Sequence, residues 1–275
     1  MLTSCTRSAP IQPAIDSFTA ILSQEFNQLP KGKSTVEKLD TDYPATQPLV
    51  YGTYQSYLRR NIPHMRHALA HAKANNYAIG FKLVRGAYHG QETSRWHALG
   101  LPGPEPVWST KPDTDHCFND SVEMLMDLIA ADVYTKGQGG APTVAALFGT
   151  HNAESASRVI AGLKKRGLAT EIGMDDPVNG GKLIVDDEAR KRVAIGQLFG
   201  MCDDLTSSIT AAFVPNTGSP MAFKYMPFGA LEEVMPYLGR RAVENKSVLA
   251  DGGAVAESNR AARELKRRWF GINYD

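Results

Sequence analysis

The spacing of hydrophobic residues changes along this chain, and the changes predict a series of helices and strands. Apolar residues recur at helical intervals between Ile11 and Phe26, which predicts an amphipathic helix. A polar stretch rich in Lys, Thr, Asp and Pro follows over Leu29–Pro48 and predicts a linker. Beyond it, short apolar runs alternate with segments of helical spacing, so we expect strands and helices in alternation.

Five of these apolar runs are short enough to predict β-strands, at Leu49–Tyr54, Ile79–Arg85, Thr143–Phe148, Val193–Leu198 and Ala222–Met226. Helices are predicted after the first strand to about Asn76, at Asp115–Ala131, before Gly167, after Gly229 and at Val255–Trp269. The segment between Arg85 and Asp115 holds several Gly and Pro residues and is predicted to be a long loop.

The predicted strands are apolar along most of their length rather than at every second residue. That pattern is typical of a parallel sheet covered by helices. The fold class is therefore predicted to be α/β, either an open sheet or part of a barrel, in one domain over residues 1–275. A chain of 275 residues, 43% of them hydrophobic, is long enough to bury a substantial core.

Composition excludes several classes of protein. Lysine plus arginine (30) nearly balances aspartate plus glutamate (29), so the overall charge gives no reason to expect a nucleic-acid partner. The three cysteines form no CxxC pair, which favours a reducing compartment over a disulfide framework. No apolar run is long enough for a transmembrane helix.

Candidate functional residues cluster where the predicted strands end, which is where parallel sheets carry their sites. They combine cations, amides, tyrosines and one histidine, with few acids. In chain order they include Gln55, Ser56, Tyr57, Lys82, Arg85, Ala87, Tyr88, Thr150, His151, Asn152, Gln197, Leu198, Lys224, Tyr225, Tyr237, Arg240 and Arg241.

Two pairs of cations each have two interpretations. Lys82 and Arg85 are three residues apart on a strand, so their side chains leave opposite faces. They would bind an anionic ligand such as a phosphorylated cofactor, or form a salt bridge to a carboxylate on a neighbouring strand. Arg240 and Arg241 would flank a ligand carboxylate or phosphate, or form a basic helix face paired with nearby glutamates.

Other chemistries have little support in the sequence. His64, His67 and His71 share one helical face, but no acidic or cysteine ligand accompanies them, so no metal site is predicted. The chain has no GxSxG motif and no cysteine beside a plausible base. The carboxylate pair of a glycosidase is also not visible at the strand ends.

The strand-end motifs resemble those of the proline dehydrogenases of eukaryotic mitochondria and, more distantly, of bacterial proline utilisation proteins. The matching segments occur in the order of that family and are Thr53–Leu58, Lys82–Tyr88, Thr150–Asn152, Gly196–Asp203 and Tyr237–Asn245. The resemblance implies a distorted (β/α)8 barrel in which the strands here are the family's fourth to eighth. It also implies an FAD cofactor at the strand ends.

The same resemblance implies roles for most of the candidate residues. Gln55, Lys82 and Arg85 would face the flavin and its phosphates, and Thr150, His151 and Asn152 would line the cofactor further along. Arg240 and Arg241 would pair with the proline carboxylate. The pyrrolidine ring would lie among Leu198, Tyr225 and Tyr237, with Ala87 and Tyr88 in the same pocket. The activity implied is oxidation of L-proline to 1-pyrroline-5-carboxylate in the mitochondrion, with electrons passed to a membrane quinone.

The resemblance ends near the N-terminus. Residues 1–10 match neither the third strand of the family nor its acidic residue, so the first three strands are expected to be absent. Five strands would leave two unpaired edges, and FAD would lose part of its pocket. We therefore expect weak FAD binding by this chain alone. The alternative hypothesis is a catalytically inactive homologue that cannot hold FAD.

Overall fold

A computed structural model describes residues 12–29, 48–136, 143–215, 220–244 and 253–270 of the chain. Helix α1 (Gln12–Phe26) begins and ends within one residue of its predicted bounds. Residues 1–10, and the predicted linker apart from its ends, lie outside the described ranges.

The centre of the fold is a parallel sheet of five strands, as predicted. Its strands are β1 (Tyr51–Gln55), β2 (Ile79–Val84), β3 (Val144–Gly149), β6 (Val193–Leu198) and β7 (Ala222–Tyr225), paired in that order. A separate antiparallel pair joins β4 (Ala169–Glu171) to β5 (Leu183–Val185). The four parallel pairings place each strand of the sheet beside the next one in sequence among the five.

A helix follows each strand of the sheet. The helices after α1 are α2 (Asn61–Ala74), α3 (His89–Ala98), α4 (Lys111–Lys136), α5 (Ala153–Lys165), α6 (Asp187–Arg190), α7 (Asp203–Ala211), α8 (Leu231–Glu244) and α9 (Gly253–Phe270). The alternation of strand and helix confirms the predicted α/β class. Among the described helices, none combines the length and apolar character that a membrane span needs.

The prediction of an unbroken loop between Arg85 and Asp115 was wrong, because α3 lies within it. The sequence of α3 is mostly polar, and its one buried side chain belongs to Glu92. An apolar stripe is the signal that reveals a helix in a sequence, and α3 lacks that stripe. The strands β4 and β5 were also missed, since runs of three residues are too short to show a period.

The two faces of the sheet have different surroundings. Helices cover one face and bury its large side chains, which are Tyr54, Phe81, Leu83, Phe148 and Ile195. The residues between them point to the opposite face, because side chains alternate along a strand. Several side chains of that open face are half-buried or exposed, namely Lys82, Val84, Leu147, Leu198 and Tyr225. Thr53, Gln55 and Ala145 lie on the same face and are buried.

A buried ionic network holds the sheet at the end opposite the candidate site. Arg192, directly before β6, is completely buried, and its Nε lies 2.9 Å from Asp132 of α4. Its Nη1 lies 2.9 Å from the carboxylate of Glu188 in α6. Asp132 also accepts a hydrogen bond from the backbone N–H of Thr143, which precedes β3. One guanidinium thus joins two helices to the start of a strand.

Candidate active site

Backbone hydrogen bonds between neighbouring segments continue past the carboxyl ends of the strands. The backbone N–H of Tyr57 donates to the carbonyl of Arg85 at 2.8 Å, and that of Thr150 donates to Gly196 at 3.1 Å. At the far side of the sheet, the N–H of Phe199 donates to Tyr225 at 2.9 Å. The segments that carry the predicted site residues therefore begin at one edge of the sheet.

Gly86 allows the chain to turn directly after β2. Its φ of +111° lies in the region that favours glycine. A Cβ at this position would lie 1.7 Å from Cδ1 of Tyr57, so a side chain would collide with that ring. The turn leads to Ala87 and Tyr88, which follow β2 at the same edge.

Lys82 and Arg85 leave opposite faces of the sheet, as their spacing predicts. Lys82 points to the open face, where its Nζ lies 6.0 Å from the centre of the Tyr225 ring. Arg85 points to the helix-covered face, and its guanidinium stacks on Phe118 of α4 at 4.4 Å. The two cations therefore lie in different environments, Lys82 on the open face and Arg85 against helix α4.

Arg85 is held by three side chains. Its Nε donates to Asp115 at 2.6 Å, and its two terminal nitrogens donate to Thr150 and Ser155 at 2.9 Å each. The carboxylate of this ion pair is Asp115 of helix α4. The sequence had suggested a carboxylate on a neighbouring strand instead. These bonds use three of the five N–H groups of a guanidinium. The cofactor role of Arg85 stays a prediction.

Asp115 is fixed as an anion by its neighbours. Burial raises the pKa of this carboxyl, but hydrogen bonds and charges from Lys111 and Arg85 outweigh burial and leave the pKa below its ordinary value. The ionised carboxylate orients Arg85 toward the carboxyl end of β3.

Thr150 and Asn152 organise the turn from β3 into α5. Thr150 is buried, and its hydroxyl accepts hydrogen bonds from Arg85 and from the backbone N–H of Asn152. The Asn152 side chain accepts a hydrogen bond from the N–H of Ser155 at 2.9 Å, so it caps the helix. Both residues have a local structural role that is independent of any ligand.

His151 lies between them and is held in its neutral form. Burial and the charge of Lys224 lower the pKa of His151 from 6.5 to about 4. Lys224 is itself fixed by Asp203, whose carboxylate lies 2.7 Å from Nζ. Within the described part of the chain, the buried Nδ1 of His151 has no hydrogen-bond partner. A neutral imidazole with an unused polar atom is therefore available at the site.

The low pKa of His151 predicts a loss of stability in mild acid. The unfolded chain takes up a proton near pH 6.5 and the folded chain only near about 4, so the unfolded state binds more protons between these values. The stabilisation is complete above about pH 6.5 and is lost as the pH falls toward about 4. From about pH 7 to about pH 5 we expect the free energy of unfolding to fall by about 2 kcal/mol more in the native chain than in His151→Gln.

Urea unfolding at the two pH values measures this difference. The exposed His67 provides a matched control, His67→Gln, which should lose as much stability as the native chain. Equal losses in the native chain and in His151→Gln would show that His151 does not titrate as described.

Four predicted site residues meet on the open face and form a cation–aromatic cluster of Lys82, Tyr225, Tyr237 and Arg241. The Tyr225 and Tyr237 ring centres lie 5.8 Å apart. The Arg241 guanidinium carbon lies 5.1 Å from the centre of the Tyr237 ring, and Lys82 Nζ lies 6.0 Å from the centre of the Tyr225 ring. The fold thus places β2 beside the consecutive elements β7 and α8, and two cations and two aromatic rings come together.

Beside this cluster, the open face is flat and apolar. Gly149 and Gly196 are partners in the register of β3 and β6. A Cβ on Gly149 would lie 3.0 Å from Val84, and one on Gly196 would lie 3.1 Å from Leu147. Because the larger side chains lean over the glycines, the surface has little relief. A planar group could lie against this floor.

The remaining predicted site residues differ in their exposure. Gln55 ends β1 and is buried, and Tyr88 is buried after β2. Leu198 is half-buried and lies in register with Tyr225. Arg240 is exposed on α8, whereas its neighbour Arg241 is half-buried. The sequence alone did not distinguish these two arginines.

Sequence reasoning missed the residues that support the site from the helices. Asp115 and Asn119 lie on α4, and Asn119 accepts a hydrogen bond from Ser155 at 2.8 Å. Asp203, the partner of Lys224, begins α7. Each is an ordinary polar residue within or at the start of a helix, so no local pattern marks it as a partner of a strand residue.

The histidines of α2 line a separate cavity beside the outer edge of β1. Its volume is about 350 Å³, and Asp16, His64, His71 and Tyr77 contribute to its walls. His71 shares a hydrogen bond of 2.9 Å with the Tyr77 hydroxyl, and His64 lies 3.4 Å from Asp16. In the ranges that the structure covers, no three His, Cys, Asp or Glu side chains are placed to hold a metal ion.

Comparison with known sequences identifies relatives of the chain. The sequence profile of the family described as "Proline dehydrogenase" matches residues 9–251. Proline dehydrogenase 1, mitochondrial, of Arabidopsis thaliana is 34% identical over 254 residues, which cover 92% of this chain and 43% of that relative. Hydroxyproline dehydrogenase of Bos taurus is 30% identical over 261 residues, which cover 95% and 46%. The chain thus spans less than half the length of either relative.

Solved structures with a similar fold belong to proline utilization A. The protein from Bdellovibrio bacteriovorus, inactivated by N-propargylglycine, has a TM-score of 0.60 at 19% identity, covering 88% of this chain and 20% of that one. Proline utilization A with proline bound in remote sites has a TM-score of 0.58 at 20% identity, covering 89% and 19%. At these identities the likeness shows the fold. The profile match over most of the sequence shows that the chain belongs to the proline dehydrogenase family.

Proposed function

We propose that the chain forms part of an FAD-dependent dehydrogenase that oxidises L-proline to 1-pyrroline-5-carboxylate and passes the electrons to a quinone. The observation that carries this proposal is the cation–aromatic cluster of Lys82, Tyr225, Tyr237 and Arg241, found on a member of the proline dehydrogenase family. The family membership favours an enzyme over an inactive homologue.

The cluster suits a small zwitterion. In our proposal Arg241, with Arg240 beside it, pairs with the proline carboxylate, because guanidinium groups match a carboxylate in shape and charge. Tyr225, Tyr237 and Leu198 surround the apolar ring and exclude water from it. Ala87 and Tyr88, which follow β2, complete the same pocket.

The strand ends suit a planar cofactor. The flat floor at Gly149 and Gly196 and the unused Nδ1 of His151 fit a flat heterocycle that carries hydrogen-bonding atoms. Lys82 and Gln55 would hold the ring of FAD. Arg85 would meet its phosphates with the two N–H groups that its three hydrogen bonds leave over.

Thr150, His151 and Asn152 would line the rest of the cofactor. The chemistry that a bound flavin supplies is acceptance of a hydride from the carbon next to the proline nitrogen. In this proposal the residues of the pocket would orient the proline ring and keep water away from it. In this proposal the five strands are an arc of a (β/α)8 barrel.

We further propose that the protein acts in the mitochondrion and associates peripherally with the inner membrane. The relatives from Arabidopsis thaliana, Drosophila melanogaster and Homo sapiens all carry "mitochondrial" in their names. Oxidation that ends on a lipophilic quinone needs access to a membrane surface, which agrees with this location. The relatives include hydroxyproline dehydrogenases, so the substrate class comprises proline and its hydroxylated form.

Absorbance between about 350 and 500 nm tests the proposal, because oxidised flavins absorb there. The purified chain is saturated with FAD without oxygen, and L-proline is then added. We expect the flavin bands to bleach with L-proline and to persist with D-proline. A folded sample whose bands persist with L-proline at saturating FAD would refute oxidation by this chain.

A further inference from the structure

The last helix, α9 (Gly253–Phe270), has an amphipathic character that the proposed active site does not use. Its sequence, GAVAESNRAARELKRRWF, holds five basic and two acidic residues. This local excess is hidden in the chain as a whole, where lysine plus arginine number 30 against 29 aspartate plus glutamate. The basic charge is therefore concentrated on one surface element.

The described side chains of α9 face solvent, including its large apolar ones. All nine are exposed, and they are Ser258, Asn259, Ala262, Arg263, Leu265, Lys266, Arg267, Arg268 and Trp269. Trp269 is 75% exposed and Leu265 is 50% exposed. A helix that packs on its own protein buries such residues, so Leu265 and Trp269 are not part of the core that the described residues form.

The arrangement of these side chains matches a lipid–water boundary. Ala262, Leu265 and Trp269 lie three and four residues apart, so they share one face of the helix. Lys266 lies beside that face, one turn from both Ala262 and Trp269, and Arg263 lies one turn from Lys266. Tryptophan is favoured at membrane interfaces because its ring is apolar and its N–H is polar.

We propose that α9 lies on the surface of an anionic phospholipid bilayer, with Leu265 and Trp269 inserted between lipids and Arg263 and Lys266 at the headgroups. Helices that are amphipathic and basic bind in this way through apolar burial together with attraction to anionic lipid. The proposal names the surface for the membrane association proposed above. It does not depend on proline oxidation.

Sedimentation of the full chain with phospholipid vesicles tests the proposal. We expect the chain to sediment with vesicles that contain phosphatidylglycerol, to remain in solution with phosphatidylcholine alone, and to be released by added salt. The double variant Arg263→Gln/Lys266→Gln should lower the partition coefficient about 30-fold. The double variant Leu265→Ser/Trp269→Ser should lower it at least about tenfold.

The matched control is Arg158→Gln/Lys164→Gln, which removes two exposed cations from helix α5 and should leave binding unchanged. Failure of the native chain to sediment with anionic vesicles would overturn the proposal, as would an equal loss in the control. A dimer in gel filtration that Leu265→Ser/Trp269→Ser dissociates would also overturn it, since the apolar face would then bind protein. Flavin bleaching by proline is measured separately, so a failure here leaves the proposed function standing.

Discussion

Replacing Arg192 with methionine is expected to lower the free energy of unfolding by about 3–5 kcal/mol, a large part of the stability of an ordinary domain. The side chain of Arg192 is completely buried, and the carboxylates of Asp132 and Glu188 are 4% and 8% exposed. Burial raises the pKa of Glu188, but hydrogen bonds from Lys191 and Arg192 outweigh burial and keep the pKa below its ordinary value. Methionine would leave two buried carboxylates without the cation between them.

Chemical denaturation followed by circular dichroism measures this loss. The control is Arg158→Met, which breaks an exposed pair with Glu154 on the surface of α5 and should cost less than about 0.5 kcal/mol. Adding Asp132→Asn to Arg192→Met should recover part of the stability, because the Asp132 carboxylate has lost its cation whereas Glu188 keeps its pair with Lys191. A loss below about 1 kcal/mol in the single variant would show that the network is not stabilising.

The sequence predicts the sheet well because each strand is marked by its own run of apolar residues. The strands around Phe81, Phe148 and Ile195 are apolar along most of their length, and such runs need only the alternation of strand and helix to define a parallel sheet. Helix α3 has no apolar stripe, and its polar sequence resembles that of a loop. A polar helix is stabilised by contacts with residues that are distant in sequence, so its own sequence does not reveal that it is a helix.

The sequence predicts at which edge of the sheet the candidate site lies. It does not predict which side chains contact one another there. The spacing of Lys82 and Arg85 predicted their opposite directions, because alternation along a strand is a property of the backbone. The partner of Arg85 is Asp115, thirty residues away on a helix, and only the packing of α4 against the sheet brings them together. The difference between exposed Arg240 and half-buried Arg241 likewise follows from the orientation of α8.

Replacing Arg241 with methionine is expected to raise the KM for proline about 100-fold while bound FAD is retained. A charged hydrogen-bonded pair in a half-buried site contributes about 3 kcal/mol, which corresponds to that factor. The residues proposed to hold FAD lie on other elements, at the ends of β1, β2 and β3. A change that removes only ground-state binding of the carboxylate raises KM and leaves kcat nearly unchanged.

Two comparisons separate this role from a structural one. Arg241→Lys keeps the charge but loses the guanidinium group that lies 5.1 Å from the centre of the Tyr237 ring, so its KM should lie between those of the native chain and Arg241→Met. Pyrrolidine, which is proline without its carboxylate, should reduce the native protein only at far higher concentrations than proline. In Arg241→Met that preference should disappear, because the cation that recognises the carboxylate is gone. A variant that still prefers proline, or that loses FAD in parallel, would exclude Arg241 from carboxylate recognition.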